Sequence, residues 1–439
     1  MLIKHHLGMN PQKSFWNREE ELSKIKRALG AGRFGYVTGR RRVGKTAILR
    51  KACEDFGGVY HQAVEGTPEQ QLLHLTEEIR DALPIFRDIV PKTWVELFRL
   101  LSREKLPRLI VFDEFPYWVQ GDSNLPSILQ KWVDHELEKL KTLVLVSGSS
   151  QSMLNAQFLQ SEAPLYGRAS LHLKLEPMDY AWFCRALKYD MEDPDSFSRF
   201  SLVGGVPHYW KLMPKGALIQ QAEELYFRPS GILSEEPGYW IRDEGIMGTL
   251  PKALLDLIGR GVTKPSELGA RLNTAQGNLS RPLALLLDLG FIRRELPFGE
   301  TTRSTKKVLY SIEDPALSFY YGTFLPFRSR WIHLDPKEKE HILNQHAARQ
   351  WENYCRNIIP GAARYWEGKT EIDLVAYQPE KKQYLVAECK WGKVSDFEEI
   401  RLLDYLKATF AQTQLGRKFK NAEFCIFSKK HLEKWPKLN

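Results

Sequence analysis

Three features of the 439-residue sequence predict an α/β fold built on a parallel sheet. Residues 37–49 read VTGRRRVGKTAIL, in which Gly39, Gly44, Lys45 and Thr46 fit GxxxxGK(S/T) between a strand-like and a helix-like segment. Residues 108–115 read RLIVFDEF, an apolar run that ends in two acids. Strand and helix patterns then alternate to about residue 175, as a parallel sheet with crossover helices requires.

The glycine-rich loop carries the most specific signal. Backbone N–H groups wrap a phosphate only where side chains do not intrude and the chain bends tightly, which Gly39 and Gly44 permit. Lys45 is spaced to reach the β- and γ-phosphates of ATP, and Thr46 to offer its hydroxyl to Mg²⁺. The helix that follows aims its positive end at the anion. Arg40, Arg41, Arg42, Val43 and Ala47 complete the nucleotide-binding stretch. Residues 34–38 are aromatic and β-branched and read as a strand; residues 45–56 lack Pro and Gly and read as a helix.

Hydrolysis needs a second, acidic strand. Residues 109–112 make a buried strand with Asp113 and Glu114 at its carboxyl end, where open α/β sheets bind ligands. Asp113 suits the magnesium shell and Glu114 a general base on the attacking water. A further strand at 141–148 leads to Ser147 and Ser149, whose hydroxyls suit sensing of the γ-phosphate, and to Ser150, which suits a helix N-cap. Asn17 is expected to cap a helix beginning REEEL, with strands at 59–64 and 170–175 and a helix at 69–83.

Composition narrows the function classes. The formal charge of +9 suits a polyanionic partner, with DNA expected ahead of RNA. Five scattered cysteines without C-x-x-C spacing point to reduced thiols in a cytoplasm. The N-terminus has no signal-peptide core and no run of 18 apolar residues occurs, so no membrane partner is expected. The sequence leaves a homo-oligomer or a protein partner open.

Four domains are expected: a nucleotide-binding core over 1–177, a helical lid over 178–235, a winged helix-turn-helix over 236–335 and a C-terminal α/β domain over 336–439. The lid is helical at 181–188, 196–202 and 219–227 and is broken by the glycines and proline of 204–207. In the third region, helices at 252–258, 265–272 and 276–289 precede a hairpin from 290 to 312. Arg281, Arg293, Arg294, Arg303, Lys306 and Lys307 give it the sign for phosphate contact.

The last region is informative at KTEIDLVAYQPEKKQYLVAECKW, residues 369–391. Two strands flank a polar turn; Asp373 lies on the first, and Glu388 and Lys390 share one face of the second. Two carboxylates suit Mg²⁺ against a phosphodiester, and a lysine suits orienting or deprotonating water. Glu352, on a helix at 347–358, is a candidate further ligand. This constellation predicts a nuclease-type site; a surface hairpin with ordinary charges is the alternative.

Over nearly its full length the chain resembles the archaeal-type P-loop ATPases, which are related to the AAA+ and STAND classes and carry a C-terminal domain similar to PD-(D/E)XK nucleases. The stretches FWNRE at 15–19, GRRRVGKT, FDEF, SGSS, PLYGR at 164–168, GGVP and the ID…ECK pair carry the resemblance. Ile372 stands before the first acid where that motif has proline. The resemblance implies that Arg168 is a γ-phosphate-sensing or finger arginine, that Arg18 sits close to the nucleotide, and that Gly205 and Pro207 shape a lid over the base. It implies an ATP-driven switch controlling a nucleic-acid-acting domain, or a scaffold whose nuclease-like domain is silent.

Overall fold

The computed structural model describes residues 15–429 except 31–32, 159, 304, 393 and 420. Of the N-terminal stretch 1–22 read as lacking a signal-peptide core, residues 1–14 lie outside the described residues. The chain forms two units. One runs to Met178 and takes in Val206–His208 and Asp243–Gly245; the other holds Asp179–Gly205, Tyr209–Arg242 and the chain from Ile246 onward.

The first unit is built on five strands: β1 (Phe34–Gly39), β2 (Gly58–Gln62), β3 (Leu109–Asp113), β4 (Leu143–Ser147) and β5 (Leu171–Leu175). They pair in the order β2-β3-β4-β1-β5, all parallel. Alternation along each strand divides the apolar residues between two faces. Val37, Leu109, Val111, Leu143 and Leu145 pack with Ile25, Ile48, Leu49 and Ala52 from the helices Glu19–Ala28 and Lys45–Phe56. Phe34, Tyr36, Ile110, Phe112, Val144 and Val146 face the opposite way, against Leu72, Leu75, Trp94, Leu97, Trp118 and Leu129. The helix Trp94–Leu101, capped by the Thr93 side chain, is among the elements not anticipated from the sequence. Its buried face carries Trp94, Leu97, Phe98, Leu100 and Leu101 and closes one side of the sheet.

One expectation is corrected here. Asn17 does not cap the first helix: its Oδ1 accepts from the Arg18 backbone N–H at 2.9 Å, and Arg18 itself occupies the cap position with φ of 94°. Glu19, Glu20 and Glu21 in the first turn supply the charge that complements the helix dipole. The left-handed turn frees the Arg18 side chain to brace the phosphate loop, as described below.

The second unit begins with the helices Tyr180–Leu187 and Pro194–Val203, whose Tyr180, Phe183, Phe197 and Phe200 rings pack against one another, mostly edge-on or tilted. Further along, Leu250–Gly259, Pro265–Arg271 and Gln276–Asp288 precede an antiparallel hairpin of β6 (Arg293–Glu295) and β7 (Leu309–Ser311). Leu254, Leu268, Leu279, Leu286 and Phe291 form their common core. The helix placed at 347–358 from sequence starts eleven residues earlier, running Pro336–Ile358 from a capping box in which Asp335 and Glu338 satisfy each other's backbone N–H. It packs on a mixed sheet ordered β11-β10-β9-β8, from β8 (Ala363–Glu367), β9 (Thr370–Gln378), β10 (Gln383–Lys390) and β11 (Ala422–Ser428). The β9–β10 pair is the expected antiparallel hairpin, while β8 and the parallel β11 were not anticipated.

Candidate functional site

The carboxyl ends of the parallel strands gather the first unit's polar groups. Asp113 is almost fully buried at the end of β3. Its Oδ2 accepts from Thr46 Oγ1 at 2.7 Å and from Tyr60 OH at 2.8 Å; its Oδ1 accepts from Ser147 Oγ and from the Glu114 N–H at 3.0 Å. The glycine-rich loop and the acidic strand are thus joined through the Thr46–Asp113 bond. Tyr60, on β2, was not anticipated. Burial and the Asp113 charge push its pKa up, so it remains a donor.

Glu114 sits in the left-handed region with φ of 55°, a conformation that costs a non-glycine residue about 1–3 kcal/mol and concentrates at functional sites. Its Oε2 accepts from the Ser149 N–H at 2.9 Å and from Ser149 Oγ at 3.0 Å. Burial lifts its pKa, the Ser149 bonds oppose that, and the neighbouring Asp113 charge adds to it. Ser149 therefore holds the acid, and Ser147 holds Asp113. Ser150 accepts from the Met153 N–H at 3.3 Å, the cap geometry expected of it.

In the loop, Gly39 has φ of 146°, and a Cβ there would lie 2.6 Å from the Leu175 carbonyl oxygen; Gly44 has φ of 109° and open space where a Cβ would stand. Both glycines are therefore required by backbone geometry. Lys45 is buried, with Nζ donating to the carbonyls of Gly39 at 2.8 Å and Arg40 at 3.2 Å. Burial draws its pKa down, against the opposing charges of Glu114, Asp113 and Glu244. Val43 and Arg40 are buried, Arg41 and Arg42 half-buried and Ala47 exposed.

The remaining candidates stand apart from this cluster. Arg18 donates to the carbonyls of Val43 at 3.4 Å and Glu176 at 2.7 Å and pairs with Glu21, so it braces the back of the loop. Arg168 pairs with Asp134 at 2.9 Å and donates to the Pro164 carbonyl at 2.9 Å. Pro207 begins the short helix Pro207–Lys211. Asp243 and Glu244 gave no sequence signal and do join the site. Asp243 pairs with Arg41, and the Glu244 carboxylate accepts from the N–H groups of Gln151 and Ser152.

These residues fit a magnesium nucleotide. The two glycines open the loop to a phosphate, and Lys45 supplies the cation. Thr46 and Asp113 would hold Mg²⁺, which contributes charge neutralisation on the phosphates.

In the second unit, Asp373 and Glu388 lie opposite each other, one step beyond the paired Leu374 and Ala387. Asp373 Oδ2 also accepts from the Cys389 N–H at 2.8 Å. Lys390 Nζ donates to Glu388 at 2.7 Å, and that bond holds the ammonium pKa above its usual value although burial opposes it. Glu388 is shifted upward by burial and by the Asp373 charge. Glu352, on the long helix, is pushed up to about 7 by burial and then by Asp373. Among the described residues no group of three His, Cys, Asp or Glu is placed to hold a metal ion. Asp373 and Glu388 meet, whereas Glu352 contributes charge, beside Arg356 and Arg364. Arg356 braces the site from the same helix, donating to the Asp373 carbonyl at 3.0 Å and to Asn353 at 2.7 Å.

Arg293, read as a phosphate contact, is instead engaged by Glu295 at 3.0 Å and Asn353 at 2.6 Å. The Phe298 N–H donates to the Arg364 carbonyl at 2.8 Å, which ties the hairpin loop to β8. Arg281, Arg294, Arg303, Lys306 and Lys307 are exposed.

Residues 15–212 match an ATPase domain family described as predominantly from Archaea. This part of the chain is similar to that family. Residues 334–402 match a second family, described as archaeal and bacterial proteins of unknown function. An uncharacterized protein of Methanocaldococcus jannaschii is 27% identical over 403 residues, covering 87% of this chain and 88% of its own. The Walker-type ATPase of Pyrococcus abyssi is similar in fold, with a TM-score of 0.50 and 19% identity over 70% of this chain and 96% of that one. The Aeropyrum pernix ORC2 protein aligns over 77% of this chain and 95% of its own, at 13% identity and a TM-score of 0.45. Among the described residues no helix is long and apolar enough to cross a membrane.

Glu352 gives the second unit a pH signature. Its folded pKa, about 7, lies above its ordinary carboxylate value, so the folded state holds the proton more tightly than the unfolded chain. The stabilisation is complete below the ordinary value and is lost as pH rises through about 7. In chelator, the melting temperature of the unit containing Glu352 should drop by about 2–4 °C for each kcal/mol lost as pH rises from the ordinary carboxylate value through about 7. Glu352→Gln should flatten that fall; an equal fall in the variant would assign it to other groups.

Proposed function

We propose that the chain is an ATP-hydrolysing switch whose nucleotide state controls a nucleic-acid-acting second unit. The observation that carries the ATPase part is the Thr46–Asp113 bond with Glu114 alongside, which brings the phosphate loop and the acidic strand into one site. Glu114 accepts a proton from water as the water oxygen attacks the γ-phosphorus; the bond to the β–γ bridging oxygen breaks, and ADP and phosphate leave. The raised Glu114 pKa favours that role near neutral pH. Lys45 neutralises the phosphates, and Arg168 acts on the γ-phosphate only after leaving Asp134.

Lys45→Ala should weaken ATP binding by at least tenfold, and Glu114→Gln should keep binding while slowing steady-state hydrolysis by about 10²-fold or more. Hydrolysis by Glu114→Gln at the parent rate would remove that residue from the role.

For the second unit the favoured reading is a Mg²⁺-dependent phosphodiesterase acting on DNA. It rests on Asp373 facing Glu388 with Lys390 on the same face. Asp373 and Glu388 would hold the ion, and Lys390 orients water. The three helices and hairpin read as a winged helix-turn-helix, with exposed Arg281, Arg294, Arg303, Lys306 and Lys307 for phosphate contact. The binding scaffold is the second reading, favoured by the engagement of Lys390 with Glu388.

Cleavage of single- and double-stranded DNA and RNA, with and without ATP and Mg²⁺, separates the two. The phosphodiesterase reading expects cleavage that disappears in Asp373→Ala and Lys390→Ala while ATP hydrolysis survives. Salt-sensitive binding without cleavage under every condition would make the scaffold the better account.

A further inference from the structure

From the last residue of the helix Ile232–Asp243, ahead of the helix Leu250–Gly259, three residues leave the second unit. Asp243–Gly245 belongs to the first unit, while Arg242 and Ile246 on either side belong to the second. The excursion is held by charge. Glu244 is 3% exposed, and its two carboxylate oxygens accept from the N–H groups of Gln151 at 3.1 Å and Ser152 at 2.9 Å. Ser152 Oγ returns a bond to the Glu244 carbonyl at 3.1 Å, and the adjacent Asp243 pairs with Arg41 of the phosphate loop.

The position matters more than the bonds. The helix Gln151–Phe158 follows directly on β4 and on Ser147 and Ser149, the residues that hold Asp113 and Glu114. Glu244 and Lys45 act on each other electrostatically, in the same field as Asp113 and Glu114. Three carboxylates therefore share Lys45, the buried lysine that the outer phosphates of a nucleotide also need. ATP brings one more negative charge than ADP, and brings it at the γ-position. Glu244 is the acid of the three that the chain can withdraw, because it lies on a connecting segment rather than at a strand end.

We propose that Asp243–Glu244 is the sensor of nucleotide state: it stays seated on the phosphate site with ADP and is released when the γ-phosphate of ATP competes for Lys45 and Arg41. Release frees the Gln151 and Ser152 N–H groups and loosens the segment to which the two flanking helices are covalently joined. The inference rests on the ATP-site reading above. It adds the group that distinguishes ATP from ADP and the route by which that distinction leaves the site.

Two measurements on the full chain test it. In hydrogen exchange with Mg²⁺, a non-hydrolysable ATP analogue should speed exchange at Gln151, Ser152 and 243–245 by at least tenfold over the ADP-bound protein. In nucleotide titrations Glu244→Gln, which keeps an oxygen acceptor but loses the charge, should improve affinity for the ATP analogue about tenfold relative to ADP. A residue that merely capped a helix would change both affinities alike. Equal exchange with both nucleotides, or an unchanged ATP-to-ADP preference in Glu244→Gln, would overturn the sensor. Should Glu244→Gln not fold, the exchange comparison in the unaltered protein decides alone. Failure of either nucleotide to bind the unaltered protein would instead overturn the ATP-site reading, and the sensor with it.

Discussion

A carboxylate buried at the end of a central strand needs hydrogen-bond donors around it, and Asp113 recruits them from across the sheet. Tyr60 comes from β2, Ser147 from β4, Thr46 from the helix after β1, and the Glu114 N–H from its own chain. The strand order β2-β3-β4-β1-β5 puts β3 between β2 and β4, so both neighbours can contribute a hydroxyl. The same bonds fix where Glu114 begins and where Ser149 can meet it. Phosphate loop, Glu114, Ser147 and Ser149 are thus registered on one buried carboxylate.

The parts of this site with local signatures were legible in the sequence. GxxxxGKT announces itself by spacing, and RLIVFDEF by an apolar run ending in acids; the strand 34–38 and the helix 45–56 fall where those patterns put them. The hairpin bearing Asp373, Glu388 and Lys390 was legible for the same reason, because strand periodicity assigns faces without knowledge of the fold. Tyr60 and Glu244 were not, since their roles exist only across the chain: 53 residues separate Tyr60 from Asp113, and 93 separate Glu244 from Gln151. Arg18 lies between these cases. Its proximity to the loop was expected from resemblance, but its burial against the carbonyls of Val43 and Glu176 is a tertiary fact.

Arg293 teaches a different lesson. A basic residue on a hairpin looks like a phosphate contact in sequence, yet a half-buried guanidinium must find acceptors within the fold, and here Glu295, Ser311 and Asn353 provide them. Asn353 also accepts from Arg356, which holds the Asp373 backbone, so the hairpin is wired to the carboxylate site through one shared amide. The exposed cations of the loop are a separate population. Charge counting does not distinguish the two, because burial decides which arginines are available to a partner.

The central claim is that Asp113 organises a magnesium–nucleotide site, and it is most directly tested by titrating ATP with and without Mg²⁺ in the parent chain and in Asp113→Asn. The account predicts that Mg²⁺ tightens ATP binding in the parent by about tenfold or more, while the variant retains its metal-free affinity and loses the enhancement. An enhancement of equal size in Asp113→Asn would contradict it.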